Sequence, residues 1–126
     1  LPSLSRTLKQ RQIDIYSGIR PFSIHTDEDW ARQKGFATTI AQGMMSTAYI
    51  STIMATAVGA GFIEGGNMDA KFLKPVLCGD TLEVTSSVSG FTRDPDGQPR
   101  AHVTVAAHNQ RGEQTMAGVA SGVCLA

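Results

Sequence analysis

The 126-residue chain carries no excess charge of either sign, with 11 Lys and Arg against 11 Asp and Glu. That removes any sequence-wide argument for a nucleic acid or an anionic membrane as partner. Cysteine is scarce: only Cys78 and Cys124 are present. Their spacing fits neither a metal site nor a redox motif, so they read as buried free thiols in a reducing, cytoplasmic compartment. Neither a metal nor a redox cofactor is implied. A chain of this length buries enough core to stand without disulfides, and residues 1–126 read as one domain. Internal repeats, linkers and low-complexity tracts are missing too. The first residue is Leu, which leaves a preceding leader open, and the residues given hold no signal-peptide pattern.

The stretch from Phe36 to Val58, FATTIAQGMMSTAYISTIMATAV, falls within the longest absence, a run with no Asp, Glu, Lys, Arg or Pro. Ile40, Met44, Ala48, Tyr49, Ile53 and Met54 fall near three–four spacing, and Ala, Ser, Thr and Gly fill the gaps. This predicts one long helix that needs cover on nearly all faces. The stretch is about long enough to cross a bilayer. Its small polar residues, Gln42 and the strand-rich half behind it point instead to a core helix, with no membrane as partner. Gly43 stands near the helix start, where backbone N–H groups lack partners within the helix. That is a seat for a carbonyl oxygen or an anion.

Around this helix the chain reads in order as follows. Residues 1–8 form a short strand or arm, and Gln10 to Tyr16 a short helix ended by Ser17-Gly18. Thr26 is the expected N-cap of a second short helix, with Asp27, Glu28 and Asp29 in its opening turn and Lys34-Gly35 at its end. His25 therefore sits one residue outside that helix, on a loop. Gly59, Gly61, Gly65 and Gly66 read as a flexible connection to a strand over Asn67–Leu73. Leu82 to about Phe91 alternates apolar and polar in the period of a strand. DPDG (Asp94–Gly97) and NQRG (Asn109–Gly112) are turn signals that place further strands over Ala101–Ala107 and Gln114–Leu125. The last three strands form an antiparallel meander, and the whole is an α+β fold with the sheet wrapped around the long helix.

Three segments in this order, IHTDEDWARQKGF, TIAQGMM and NMDAKFLKPVLCGDTLEV, resemble the MaoC-like hydratase group of hot-dog-fold proteins. The resemblance runs from Gln12 to about Val88, and the later hairpins suit the fold. It implies a single hot-dog domain, an antiparallel sheet around one central helix, paired as a homodimer with sites at the interface. It also implies a lyase that adds water to a trans-2-enoyl thioester, or removes it, with coenzyme A or an acyl carrier as substrate handle. Hydration needs a base for water, an acid for the α-carbon and a donor for the developing enolate oxygen. His25 falls on the family's catalytic histidine and Gly43 on its oxyanion glycine. The family's aspartate, five residues before its histidine, falls on Arg20, or on Ile19 if the loop shifts by one. Its asparagine falls on Phe22, and the histidine before its glycine is Gln42 here.

Each candidate has a plainer reading beside the functional one. His25 is the catalytic base or a structural residue beside a helix, and Gly43 holds an oxyanion or permits close packing. Arg20 is a clamp on a substrate carboxylate or enolate, or a solvated loop charge. Phe22, Gln42, Met44 and Ser46 complete the substrate-binding candidates, and core packing explains the methionines equally well. Asp27 and Asp29 read as capping residues, Lys71 and Lys74 as strand-end charges that could meet carrier phosphates, His102 and His108 as sheet-face residues, Tyr16 and Trp30 as packing groups. Three functions follow: a hydratase or dehydratase with an altered acid–base pair; a thioesterase, isomerase or biosynthetic dehydratase on a carrier-free substrate; or a catalytically silent subunit of a heteromeric hydratase.

Overall fold

The computed structural model describes Leu1 and residues 3–125; Pro2, within the predicted N-terminal strand or arm, and Ala126 lie outside the described residues. In chain order the elements are β1 (Leu4–Thr7), α1 (Gln10–Ser17), α2 (Glu28–Gln33), α3 (Gly43–Val58), α4 (Ala60–Gly65), β2 (Asn67–Phe72), β3 (Thr81–Arg93), β4 (Pro99–His108) and β5 (Gln114–Val123). The five strands form one antiparallel sheet in the order β1-β3-β4-β5-β2. The two turn signals close the β3–β4 and β4–β5 hairpins as expected. At the first, Gly97 holds a φ of 87°, a left-handed conformation that costs glycine least.

Helix α3 lies against β5, β4 and β2. Its Ile50, Ile53 and Met54 are fully buried against Val84, Val103, Val105 and Met116 of the sheet and Ile13 of α1. Full burial of one such side chain stabilises the fold by about 1.5–3 kcal/mol. This is the hot-dog arrangement predicted from the chain, with four local differences.

The long helix begins at Gly43 rather than Phe36. Residues before it are drawn into extended pairing: the Ile40 N–H donates to Ile24 O at 3.0 Å, the Ala41 N–H to Val76 O at 2.8 Å, and the Cys78 N–H to Thr39 O at 2.9 Å. A β-bridge joins Ile40 to Leu77. Those bonds satisfy buried backbone groups that a helix would otherwise have to satisfy within itself. Nor is α3 covered all round. Met44, Ala48, Thr52 and Thr56, four apart, form an exposed stripe, and Met44 is 62% exposed.

The glycine-rich connection is a packed helix, α4. A Cβ at Gly61 would stand 1.7 Å from Val123 O, so glycine here permits close approach to β5. Thr26 does not cap α2; Asp27 does, accepting from the Trp30 N–H at 3.1 Å. Thr26 instead exchanges two hydrogen bonds with the Arg20 backbone, at 2.8 and 2.9 Å. Two smaller expectations also change: both thiols are half-buried rather than buried, and Tyr16 is exposed rather than packed.

Candidate functional site

Helix α1 is the platform of the site. Its first residue, Gln10, donates through Nε2 to His25 O at 2.9 Å and to Asp14 Oδ1 at 2.8 Å, and accepts from Thr39 Oγ1 through Oε1. One side chain thus ties the histidine loop to the extended segment before α3. At the other end of α1, Gln42 Nε2 donates to Ser17 Oγ at 2.6 Å and to Ile13 O at 3.3 Å. Gln42 is the N-cap position of α3, so α1 locks the start of that helix in place.

His25 and the α3 start face one cavity of about 330 Å³, which they share with Ser46, Phe72 and Thr115. His25 is half-buried, and its Nδ1 lies 2.8 Å from Ile40 O. A carbonyl only accepts, so Nδ1 carries the proton, and in the neutral imidazole the lone pair is on Nε2. The extended pairing around Ile40 therefore sets the histidine tautomer. The N–H groups of Gly43 and Met44 open α3 and have no acceptor within it; the Met45 N–H turns back onto Gln42 O at 3.0 Å. The 16-residue helix adds its dipole at that point. Together, an imidazole nitrogen and the backbone amides of a helix start line a mainly apolar recess. That pairing is suited to chemistry next to a carbonyl.

Gln42 adds a further polar atom. The residue is 9% exposed, and its Oε1 is buried without a hydrogen-bond partner among the described residues. An unsatisfied buried acceptor costs about 1–3 kcal/mol, and a donor brought by a ligand or water would recover it. Ser46 lies one turn further along α3 and is 3% exposed.

The remaining candidates are elsewhere. Arg20 lies in a separate surface recess with Pro21 and Glu28. Phe22 is 71% exposed, holds a φ of 56°, and sets its ring edge-on to Trp30 at 5.2 Å. Its N–H donates to Asp27 Oδ2 at 3.1 Å, which helps hold a conformation that side chains rarely adopt. Met44 points outward. Within one chain, then, His25, Gln42, Gly43 and Ser46 come together, and Arg20, Phe22 and Met44 do not join them.

Two sets of residues escaped the sequence reading. Phe72 and Thr115 line the cavity from β2 and β5. Alternation along Asn67–Phe72 puts Phe72 on the helix-facing side, a signal that was available. The other set is an ionic clasp behind the cavity floor. Asp80, 3% exposed, accepts from the Leu77 N–H at 3.0 Å, Gln110 at 2.9 Å and Arg111 at 3.0 Å. Burial alone would raise the Asp80 pKa, but these hydrogen bonds and the Arg111 charge outweigh it and hold the carboxyl below its usual range. Glu113 accepts from Lys74, Arg111 and Asn109, which pulls its pKa from 4.5 to about 2. The clasp fixes the Val76–Asp80 turn, whose backbone bonds Thr39 and Ala41, the second of which lines the cavity. No cluster of three or more His, Cys, Asp or Glu suited to a metal occurs among the described residues.

A helix laid across a five-stranded antiparallel sheet, with a histidine loop at the helix start, is a hot-dog domain. The chain belongs to the MaoC like domain family, whose pattern matches residues 2–111. It is 36% identical over 92 residues to an (R)-specific enoyl-CoA hydratase of Rhodospirillum rubrum, a match that covers 71% of this chain and 63% of that relative's length. Among solved structures it is similar to the unliganded R-hydratase PhaJ1 from Pseudomonas aeruginosa, with a TM-score of 0.76, 28% identity and coverage of 98% and 77% of the two chains. The (R)-hydratase from A. caviae involved in PHA biosynthesis shares the fold, with a TM-score of 0.79, 21% identity and coverage of 99% and 93%.

Proposed function

We propose that the protein hydrates a trans-2-enoyl thioester, or dehydrates the matching 3-hydroxyacyl thioester, with His25 as its single acid–base group. The observation that carries this is the shared cavity of His25, its Nδ1 on Ile40 O, and the unpaired first amides of α3. In the forward direction His25 Nε2 takes a proton from water as the oxygen bonds to the β-carbon. The double-bond electrons move onto the thioester oxygen, which the Gly43 N–H stabilises as an enolate. As the carbonyl re-forms, the α-carbon takes the proton back from Nε2. One proton leaves water and returns to carbon, so the cycle balances with one histidine. Gln42 and Ser46, both on the cavity lining, serve as polar contacts for water or substrate.

No carboxylate lines the cavity among the described residues, which supports the reading of an altered acid–base pair. The same observation supports the second reading, a silent subunit that completes an active partner. Purified protein that turns over crotonyl-CoA, and a His25→Ala variant that does not, would support the enzyme; no turnover by a folded sample would favour the subunit. The carrier-free reading, with Arg20 as the clamp, draws no support from one chain, where Arg20 lies outside the cavity.

We also propose a homodimer joined along β2, an edge strand with one side unpaired. Antiparallel pairing of two copies centred on Ala70 would set Asp69 of one against Lys71 of the other, a self-complementary register. Among the described residues no helix is long and apolar enough to cross a membrane. Two free thiols fit a reducing compartment such as the cytoplasm.

A further inference from the structure

Phe72 ends β2 and projects from the edge of the sheet onto the start of α3. A Cβ built on Gly43 would lie 2.8 Å from Phe72 Cζ, 2.9 Å from Cε2 and 3.2 Å from Cε1, so the ring tip occupies the space where a side chain at position 43 would stand. The backbone on either side is anchored. Phe72 is paired with Met116, and the next two N–H groups, of Leu73 and Lys74, both donate to Thr115 O, at 2.8 and 3.4 Å. Phe72 itself is 54% exposed, so the strand fixes its origin while the ring keeps an open side. It shares the cavity with His25.

We infer that Phe72 is a specificity-determining residue, which admits linear 2-enoyl thioesters and excludes those with a substituent on the α-carbon. The inference rests on the hydratase reading above and deepens it. A thioester oxygen held by the Gly43 N–H puts the carbonyl carbon one bond away and the α-carbon two bonds away. That atom lies beside the residue on which the Phe72 ring rests. An α-methyl group must then displace the ring or move the oxygen off the amide. Either route lowers transition-state binding of the branched ester and leaves the linear one unaffected. The adjoining backbone bonds oppose a shift of the strand that would open the space.

The test compares kcat/KM for crotonyl-CoA and 2-methylcrotonyl-CoA in the wild type, Phe72→Ala and Phe72→Leu, with melting temperatures to confirm folding. The leucine variant keeps an apolar side chain on the half-exposed site should the alanine variant fold poorly. Wild-type preference for crotonyl-CoA should fall about tenfold or more in Phe72→Ala, the scale on which one methyl group is discriminated in an apolar pocket. Phe72→Leu should fall in between. A merely structural role would lower both substrates together and leave their ratio alone. Wild-type turnover with an unchanged ratio in both variants would overturn the Phe72 assignment and spare the hydratase reading. No turnover of crotonyl-CoA by the wild type would overturn the hydratase reading, and this assignment with it.

Discussion

At the scale of single residues, the site is built on a histidine whose ring is positioned by backbone. Ile40 O fixes the proton on Nδ1 of His25, and Gln10 holds the His25 carbonyl from α1. Removal of the ring by His25→Ala should lower kcat by a factor of about 10²–10⁴, the usual contribution of general acid–base catalysis. Gln10→Ala acts on position and not on chemistry, so kcat should fall less, while the loss of three hydrogen bonds lowers the melting temperature. These residues differed in how readily the sequence disclosed them. His25, Gln42, Gly43 and Ser46 were legible because each stands at a defined place beside a helix end or on its first turns. Arg20 and Phe22 occupy family positions as well, yet the bonds of Thr26 to Arg20 and of Asp27 to Phe22 close the loop on itself and leave both residues at the surface.

At the scale of elements, the Val76–Asp80 turn and the β4–β5 hairpin turn beside it behave as one clasped unit. Asp80→Ala leaves the Leu77 N–H without its acceptor and strips Arg111 of a carboxylate, and should cost about 2–3 kcal/mol in chemical denaturation. The clasp also predicts acid sensitivity. Both carboxyls have folded pKa values below their unfolded ones, so their stabilisation is complete above the unfolded values and is lost as pH falls. For Glu113 the window runs from 4.5 down to about 2. The melting temperature should therefore drop steeply over that range, and Glu113→Gln should flatten the drop. None of this was visible in the chain, since Asp80 and Arg111 meet only through the β3–β4–β5 register. The helix boundary was hidden for a similar reason. The uncharged run before Gly43 has helical composition, and only tertiary partners, Ile24 O and Val76 O, draw it into extended pairing. The strands were plainer because period-two alternation and two strong turn motifs act locally.

At the scale of the whole molecule, α3 keeps an exposed stripe from Met44 to Thr56 and β2 keeps an open edge. The proposed pairing about Ala70 gives this edge a charge code. Lys71→Asp sets like charges against each other across the junction and should shift the protein toward monomer in sedimentation velocity. Combining it with Asp69→Lys should restore the dimer. A wild type that sediments as a monomer at all concentrations would remove the β2 junction from the account.

The central claim, that one histidine beside the α3 start hydrates enoyl thioesters without an acidic partner, has a direct measurement. The loss of enoyl absorbance is followed as purified protein acts on crotonyl-CoA, beside His25→Ala of equal melting temperature. The account predicts turnover in the first and a fall of at least about a hundredfold in the second. Equal rates in both, or no turnover by the folded wild type, would contradict it.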